Sequence, residues 1–315
     1  MLYNRNILFI APDFFHYPEI ITKRLQELGA VVDLFYDRPR SYVYKIGQVF
    51  HTYEYDVIPY WDKVLSELKA HYDYILVIKG DLIPESIYKT LRKRFSDGVF
   101  VQYHWDDIEL SNDIRRSFSY FDKILTYNIL DANEYGFQFR PFFFRDANDC
   151  CKEKSLDLFL IGSYNRPRYK TIKLLLQEND LDNIRLKKHI YINPMTFFHE
   201  HLPLKELTFF KFSKMMYDRM LRFIQMAKAS IDIPFKSQKG LTTRSFESLP
   251  YRTKIITTNK NIQLYDFYFE ENVQIIDAEN PIIDFDWLNC PFRKINDDVL
   301  ERYTLDSWIN DVFSF

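Results

Sequence analysis

Glycine is scarce in this sequence. Its 315 residues include seven glycines, about 2% of the chain against a usual share of about 7%. Neither G-x-G-x-x-G nor G-x-x-x-x-G-K-[ST] occurs, so the glycine-rich nucleotide-binding loops are excluded. A phosphate-binding loop in this chain would have to use a single glycine, where the missing Cβ lets an anion approach the backbone.

Cysteine and long apolar runs are also scarce. The three cysteines are Cys150, Cys151 and Cys290, and two adjacent residues plus one distant residue do not form a disulfide framework, which favours a reducing compartment. No apolar run reaches 18 residues, which argues against a membrane-spanning helix. The first residues lack a small-residue cleavage site, so we expect no signal peptide and a cytoplasmic location.

Aromatic residues are abundant at 18%, within a composition of 47% hydrophobic and 27% charged residues. This composition is typical of a globular protein and not of a disordered one. The net charge of −2 provides no global field for nucleic acid, so no nucleic-acid partner is expected. The length predicts about two domains.

Strand and helix patterns alternate in the first half of the chain. Short apolar runs predict strands, and apolar residues at helical spacing between them predict helices. This alternation predicts an α/β domain with a parallel sheet. The strands are predicted at 6–12, 30–36, 74–79, 99–103 and 122–127, and the helices at 18–29, 59–71 and 84–95.

A second α/β pattern begins after an irregular stretch, 141–155, that is interpreted as a linker. Its strands are predicted at 156–162, 184–191, 229–233, 253–258 and 272–277, with helices beginning near Asn165 and Pro167, over 241–250, and in the last 18 residues. The predicted organisation is a first domain over 1–145, a second over 155–296, and a C-terminal helix, 297–315, that packs on the first domain.

Ligands of open parallel sheets lie beyond the carboxyl ends of the strands. Two α/β domains of similar size therefore predict a cleft between them. The loops after Ala11, after Tyr103, after Gly162 and around Gly240 are predicted to line this cleft.

The segment SIDIPFKSQKGLTTRSFESL has the pattern of a strand, a loop with one glycine, and a helix. Gly240 precedes the helix, whose first amides can bind an anion. Thr242 or Thr243 can cap the helix or donate to a phosphate, and Arg244 can pair with a diphosphate. Glu247 lies on the same helix face and can accept both hydroxyls of a ribose. A simple cap with an Arg244–Glu247 ion pair is the alternative.

Four strings together resemble bacterial glycosyltransferases of the GT-B fold that take part in capsular polysaccharide or lipopolysaccharide synthesis. They are GLTTRSFESL followed by KIITTN, VFVQYHWDD at 99–107, FDKILTYNILDANEYGFQFRPFFF at 121–144, and DLFLIGSYNRPRY at 157–169. They occur in the order found in that family and extend over most of the chain.

The resemblance implies two facing Rossmann-like domains with a cleft between them and a C-terminal helix that returns to the first domain. It implies that the second domain binds a nucleotide-sugar donor and that the acceptor is a glycan or a lipid-linked glycan. The donor residues that it implies form two loops: Gly162, Ser163 and Arg168 in one, and Gly240, Thr242, Thr243, Arg244 and Glu247 in the other.

One position departs from the family pattern. Many retaining members have a second acid eight residues before the ribose-binding glutamate, and this chain has Lys239 there. A lysine can balance phosphate charge, so Lys239 is added to the predicted donor residues. The missing acid favours transfer with inversion.

An inverting transfer needs a base for the acceptor hydroxyl. Asp13 and His16 follow the first strand, and His104, Asp106 and Asp107 follow the strand 99–103. We predict Asp13 or Asp106 as the base, with His16 next. The alternative is that these acids cap the helices that follow them. Cations and helix amides can stabilise the departing nucleotide, so no metal or other cofactor is expected.

Other acidic and histidine clusters are interpreted as surface. His199, Glu200 and His201 do not have the H-E-x-x-H spacing of a zinc protease. The Asp180/Asp182 and Asp284/Asp286 pairs lie away from the predicted donor loops, where acidic turns are common.

The segment 185–228 combines nine Lys or Arg with three Asp or Glu and many Phe, Met and Tyr residues. This pattern predicts peripheral contact with an anionic membrane leaflet or a lipid-linked acceptor, at the cytoplasmic face of the inner membrane. The alternative is that the aromatics form core and the lysines are solvated.

The function predicted from these observations is transfer of a sugar from a nucleotide-sugar to a hydroxyl of a bacterial surface glycan. Two alternatives remain open: a non-catalytic nucleotide-sugar-binding or regulatory protein of the same fold, and a sugar epimerase of that fold.

Overall fold

The computed structural model describes residues 2–14, 16–39, 54–111, 113–145 and 153–314. The chain divides into two compact units, which are described separately below. The first contains Met1–Pro141 and Ile309–Phe315, and the second contains Phe142–Trp308.

The first unit is built on a six-stranded sheet in which every pair of neighbours is parallel. The strand order is β2-β1-β3-β4-β5-β6. The strands are β1 (Asn6–Ala11), β2 (Val31–Tyr36), β3 (Tyr74–Ile78), β4 (Val99–His104), β5 (Lys123–Thr126) and β6 (Gln138–Phe139).

Helices cover the strands of this sheet, as parallel strands require. They are α1 (Tyr17–Glu27), α2 (Glu54–Glu67), α3 (Glu85–Arg94) and α4 (Ile129–Tyr135), with short 3-10 segments at Ile108–Leu110 and Ile114–Tyr120. In α1 the buried residues Tyr17, Ile21 and Leu25 recur every four residues, so one face of this amphipathic helix packs inward. The central strands β1, β3 and β4 are almost wholly buried.

The second unit has a five-stranded parallel sheet in the order β11-β10-β9-β7-β8. Its strands are β7 (Leu156–Ser163), β8 (Leu186–Tyr191), β9 (Ala227–Asp232), β10 (Lys254–Thr257) and β11 (Val273–Ile275).

The helices of the second unit are mostly short. They are α5 (Arg166–Glu178), α6 (Pro194–His199), α7 (Tyr217–Met226), α8 (Thr243–Ser248), α9 (Phe285–Asn289) and α10 (Asp297–Glu301), with 3-10 segments at Leu204–Thr208 and Lys260–Leu264. The side chain of Asn165 caps α5 by accepting from the amide of Arg168, and Pro167 lies in its first turn, as the sequence predicts.

The last helix, α11 (Leu305–Phe313), contains the point at which the chain passes from the second unit, which ends at Trp308, to the first. From Ile309 onward it belongs to the first unit, where Lys123 Nζ donates to the carbonyl of Asp311 and Arg140 pairs with the Asp311 carboxylate. The predicted closing helix over 297–315 is thus two helices, and its first part lies in the second unit.

Two Rossmann-like parallel sheets and a C-terminal segment that returns to the first unit confirm the fold class that the resemblance implied. No helix among the described residues is both long and apolar enough to cross a membrane. Cys150, Cys151 and Gly47 lie outside the described residues.

Candidate functional site

The second sheet changes direction of winding between β7 and β9. From β7 the chain adds β8 on one side of β7, and then adds β9 on the other side. A parallel sheet leaves a crevice beyond the carboxyl ends of its strands at such a switch point. The residues that follow β7, β9 and β10 therefore occupy the place where ligands of this fold class bind.

Arg168 bridges this switch point. Its Nε donates to the carbonyl of Ile233 at 2.5 Å, just after β9, and its Nη1 donates to the carbonyl of Ser163 at 3.0 Å, at the end of β7. Its guanidinium also stacks 4.3 Å from the ring centroid of Phe235. A guanidinium has five N–H donors, so these two bonds leave donors for an anion.

Asp232, the last residue of β9, organises the other predicted donor loop. Its carboxylate accepts from Thr242 Oγ1 at 2.6 Å, Ser245 Oγ at 3.4 Å and Arg244 Nε at 3.3 Å. Thr242 stands at the N-cap of α8, yet its side chain makes no cap. The partner of Arg244 in these contacts is Asp232, whereas the alternative interpretation of the sequence paired it with Glu247.

Positive charge exceeds negative charge in this group. Arg168 and Arg244 are two cations beside the single carboxylate of Asp232, and Asp232 and Arg168 are both buried. The pKa of Arg168 is lowered to about 10, mainly by burial and also by the nearby Arg244, while Asp232 opposes both effects. Arg168 therefore remains charged at neutral pH, and an added anion would relieve the repulsion between the two guanidinium groups.

Two asparagines hold the loop that contains Lys239 and Gly240. Asn259 Nδ2 donates to the carbonyls of both residues at 3.1 Å, and Asn261 Nδ2 donates to the Lys239 carbonyl at 2.9 Å. Asn259 is itself fixed because its Oδ1 accepts from the amide of Asn261. The loop is thus tied to the end of β10.

The remaining predicted donor residues differ in exposure. Ser163 is exposed, Thr243 is half-buried, and Gly162 is buried under Arg168, whose Cδ lies 3.5 Å from the position that a Cβ at residue 162 would occupy. Glu247 is 1% exposed, so a ribose could reach its carboxylate only if neighbouring side chains moved.

The structure therefore gathers Ser163, Arg168, Lys239, Thr242 and Arg244 at one edge of the sheet. Sequence reasoning missed two residues that organise them, Asp232 and Asn259. Each had a sequence signal, because Asp232 and Asn259 are polar residues at or just after the ends of apolar strands, SIDIP and IITTN.

The first unit has an equivalent switch point between β1 and β3, since β2 lies on the other side of β1. Asp13 and His16, in the loop after β1, are both exposed. His16 has a left-handed backbone (φ 60°) at the N-cap of α1 and its Nδ1 lies 3.8 Å from Glu19. The N-cap residue of α1 is His16, whose side chain makes no capping hydrogen bond, and not Asp13.

Lys79 follows β3 and links two acids. Its Nζ lies 2.7 Å from Asp106 and 3.7 Å from Asp81. Lys79 and Gly80 both have left-handed backbones, with φ of 62° and 83°, a conformation that is uncommon and costly for lysine. Burial lowers the pKa of Lys79, but Asp106 and Asp81 outweigh burial and the pKa lies above its usual value.

A second ion pair lies after β2. Arg38 donates two hydrogen bonds to the fully buried Asp37, at 2.7 and 2.6 Å. Burial raises the pKa of Asp81, while Lys79 and Arg38 partly offset that effect. The carboxyl edge of this sheet thus carries paired charges of both signs, from Asp37, Arg38, Lys79, Asp81 and Asp106. Sequence reasoning missed the first four, although YDR and IKGD directly follow strands.

His104 and Asp107 are structural. Asp107 is buried and accepts from Tyr127 Oη at 2.6 Å and Asn128 Nδ2 at 3.0 Å. His104 is the last residue of β4, 1% exposed, and packs between the rings of Phe118 and Phe137. Burial lowers its pKa to about 3.

His104 is expected to make folding sensitive to acid. In the unfolded chain its pKa returns to about 6.5, so between the two values the unfolded state binds one more proton. The free energy of unfolding should then fall by about 1.4 kcal/mol for each pH unit below 6. His104→Phe, which keeps an aromatic ring, should show a shallower fall in urea unfolding between pH 6 and 4.5.

The control for this experiment is His199→Gln, because His199 is exposed in the folded chain. It should keep the wild-type pH dependence. If the free energy of unfolding fell equally steeply with pH in wild type and His104→Phe, the acid sensitivity could not be assigned to His104.

The acidic clusters of the second unit have structural partners. Glu200 pairs with Arg166 at 2.8 Å and accepts from Tyr164. Asp180 accepts from the amide of Asp182, and Asp284 caps α9 through the amides of Asp286 and Trp287. In the described ranges, no group of three or more His, Cys, Asp or Glu is arranged to hold a metal.

No protein-family model matches the chain, and no curated protein matches it significantly. Solved structures with similar folds include MurG of Acinetobacter baumannii, 8% identical, covering 98% of this chain and 99% of MurG with a TM-score of 0.48. TarM is 12% identical with a TM-score of 0.48, and the match covers 82% of this chain and 58% of TarM.

The heptosyltransferase WaaC of E. coli, solved with ADP-2-deoxy-2-fluoro heptose, is 12% identical. The match covers 95% of this chain and 98% of WaaC, with a TM-score of 0.41. All these TM-scores are below 0.5, so we assign the fold from the strand orders of the two parallel sheets and not from these similarities.

Proposed function

We propose that this protein is a glycosyltransferase that moves a sugar from a nucleotide-sugar to a hydroxyl of a bacterial surface glycan, such as lipopolysaccharide or capsule. The observation that carries the proposal is the surplus of positive charge at the carboxyl edge of the second sheet. There Arg244 pairs with the Asp232 carboxylate, and Arg168 lies close enough to both for their charges to affect its pKa, on the segments whose sequence resembles donor loops.

The donor diphosphate would lie against Arg168 and Arg244. The hydroxyl of Ser163 and the ammonium of Lys239 belong to the same edge, and both can contact phosphate oxygens. Charge-assisted bonds from guanidinium groups to phosphate are among the strongest hydrogen bonds in proteins. Glu247, on α8 with Arg244, would accept the ribose hydroxyls once its neighbours move, and the Thr243 hydroxyl can donate to the same nucleotide.

Leaving-group departure needs charge compensation. As the bond between the anomeric carbon and the phosphate oxygen breaks, negative charge grows on the nucleotide, and the two guanidinium groups are fixed in place to stabilise it. We therefore propose that the reaction is independent of a metal ion. Arg168, being tied to two carbonyls, needs little reorganisation during this step.

The acceptor hydroxyl loses its proton as its oxygen bonds to the anomeric carbon. We propose that Asp13 takes this proton. It is exposed in the loop that follows β1, beside the switch point of the first sheet. His16 lies in the same loop and is the reserve candidate. Attack opposite the leaving group inverts the anomeric configuration, in keeping with a lysine in place of the second acid of retaining enzymes.

Substitution of Arg244 is expected to weaken use of the donor. Arg244→Met removes a charge-assisted contact, so kcat/KM for the donor should fall by about tenfold to a hundredfold. The measurement is nucleotide release and glycan product from a panel of ADP-, UDP-, GDP-, dTDP- and CMP-sugars with surface-glycan oligosaccharides as acceptors. Arg252→Met is the control, because Arg252 is exposed in the turn before β10.

Three outcomes would contradict the proposal in different ways. Nucleotide binding without turnover on any acceptor would indicate a binding or regulatory protein. Conversion of the donor sugar without acceptor would indicate an epimerase. Retention of the anomeric configuration in the product would exclude a single displacement, because that reaction inverts the configuration.

A further inference from the structure

A cavity of about 550 Å³ lies in the second unit. Its volume is within the range of about 300–1,000 Å³ that is usual for small-molecule sites. None of the donor residues proposed above is among the residues that line it. We call it the amino-edge pocket, and its wall contains three aromatic rings, two carboxylates and one guanidinium: Tyr268, Phe269, Trp287, Glu270, Glu271 and Arg293.

The pocket lies at the amino edge of the second sheet. Glu270 and Glu271 directly precede β11, and Lys254, the first residue of β10, donates from Nζ to the carbonyl of Trp287 at 2.6 Å. The donor loops follow the carboxyl ends of the strands, and the four residues of β10 extend over about 10 Å between the two edges. An occupant of this pocket would therefore be a ligand separate from the donor.

Hydrogen bonds fix the wall of the amino-edge pocket. Trp287 Nε1 donates to the carbonyl of Glu270 at 2.7 Å. The buried Asn272 donates from Nδ2 to the carbonyl of Arg293 and accepts at Oδ1 from the Arg293 amide, both at 2.8 Å. The pocket is thus formed before a ligand arrives, which lowers the entropic cost of binding.

Cations of the protein lie over two of the aromatic rings. The Nζ of Lys254 is 4.4 Å from the centroid of the Trp287 ring, and the guanidinium of Arg293 is 3.9 Å from the centroid of the Phe269 ring. A cationic ligand is attracted to aromatic faces, but here it would be repelled by these two charges. The pocket is therefore poorly suited to a quaternary ammonium group.

The carboxylates of Glu270 and Glu271 make the pocket equally unsuited to a phosphate. Both residues are exposed at the wall, and Arg293, the one cation among the lining residues, pairs with Glu271 at 3.2 Å. Aromatic rings beside carboxylates instead complement a sugar ring, which has apolar C–H faces and a rim of hydroxyls. The C–H groups pack on the negative face of an aromatic ring, and a carboxylate can accept hydrogen bonds from two hydroxyls.

We propose that the amino-edge pocket binds a neutral sugar unit of a glycan chain. One sugar ring would pack against Trp287, and its hydroxyls would donate to Glu270 and Glu271. This inference does not depend on the proposed function, because neither a nucleotide nor a residue of the donor loops takes part in the binding.

Trp287 can report on occupancy of the pocket. It is half-buried, whereas the other three tryptophans, Trp61, Trp105 and Trp308, are at most 8% exposed, so acrylamide should quench mainly Trp287. The probes are linear hexasaccharides of glucose, galactose and mannose. At least one of them should lower the quenching constant about twofold or more. Hexagalacturonate should bind at least about tenfold more weakly, because the two glutamates repel its carboxylates.

Cys290 provides a second readout on the full chain. Its thiol is exposed and free, and the residue lines the pocket. With Cys150→Ser and Cys151→Ser as the background, the bound hexasaccharide should slow alkylation of Cys290 by iodoacetamide. Trp287→Leu should raise the hexasaccharide concentration for half protection at least about tenfold, and Glu271→Gln should raise it about fivefold.

The matched controls are Phe198→Leu and Glu178→Gln. Phe198 is 68% exposed and Glu178 is also exposed, and both belong to the second unit without lining the pocket. Both variants should give the wild-type protection of Cys290. The titrations contain no nucleotide, so their result is independent of the outcome at the proposed donor site.

Two results would overturn the proposal. In the first, no hexasaccharide protects Trp287 from acrylamide or Cys290 from alkylation. In the second, Trp287→Leu folds normally by circular dichroism and is half protected at the same hexasaccharide concentration as Phe198→Leu. Protection by tetramethylammonium chloride or by ADP, and not by the sugars, would assign the pocket to a cation or to a nucleotide and would also contradict the proposal.

Discussion

Replacing Arg168 by methionine is expected to abolish nucleotide binding and to destabilise the second unit. The side chain donates to carbonyls on both sides of the switch point, at Ile233 and Ser163. Its loss leaves two carbonyls without those donors in a buried setting, so the free energy of unfolding should fall by about 3 kcal/mol. Nucleotide affinity should fall at least about a hundredfold, because charge-assisted bonds to phosphate are lost.

Two related variants separate these effects. Arg168→Lys keeps the positive charge but cannot span both carbonyls, so it should recover part of the affinity and little of the stability. Arg166→Met is the matched control. Arg166 lies two residues earlier in α5, its side chain is 74% exposed, and it pairs with Glu200 at the surface, so its loss should cost under about 1 kcal/mol.

The measurements are urea unfolding and calorimetric titration with the nucleotide that binds wild type. If Arg168→Met bound this nucleotide as tightly as Arg166→Met does, the donor site would have to be moved away from the β7–β9 switch point.

Replacing Asp13 by asparagine is expected to lower turnover by about 10²–10⁴-fold and leave nucleotide affinity unchanged. A general base contributes an acceleration of this size, and asparagine keeps the shape of the side chain while removing its proton affinity. Nucleotide affinity should be unaffected because Asp13 lies in the loop after β1 of the first unit, whereas the proposed donor residues belong to the second unit.

Asp106→Asn and Asp97→Asn complete this test. Asp106 is held by Lys79, so its loss should disturb the Lys79–Asp81 arrangement and lower turnover by a smaller factor. Asp97 is exposed in the turn that leads into β4, at the opposite edge of the sheet, and its substitution should have no effect. Near-normal turnover in Asp13→Asn would show that Asp13 is not the base, and Asp106 and His16 would then be the candidates.

Most of the fold could be predicted from the sequence. Buried parallel strands are continuous apolar runs, so β1, β3, β7 and β10 were visible as such and their bounds differ from the predicted ones by one or two residues. The helices α6 and α7 were missed. In the short α6 the adjacent Phe197 and Phe198 are buried and exposed, respectively, whereas α7 has Tyr217, Met220 and Ile224 buried at helical spacing, a pattern that sequence reasoning overlooked. The single break between α10 and α11, at Arg302 to Thr304, was also missed.

The candidate site was less predictable, for a physical reason. Motifs identify residues that are consecutive in sequence, such as Thr242 and Arg244, but the group that organises them comes from the end of a neighbouring strand. Asp232 and Lys79 come close to their charged partners only because parallel strands align their carboxyl ends at one edge of the sheet. The sequence pattern also predicted that Glu247 faces the ligand, whereas in the structure this residue of α8 is buried.

A thermal-shift screen of the wild-type protein against ADP, UDP, GDP, dTDP and CMP, each with and without its sugar, tests the central claim most directly. The account predicts that one nucleotide raises the melting temperature by about 5 °C near saturation, and that Arg168→Lys loses most of this shift while Arg166→Met keeps it. No shift with any member of the panel, or an equal shift in Arg168→Lys and wild type, would contradict a nucleotide site at the carboxyl edge of the second sheet.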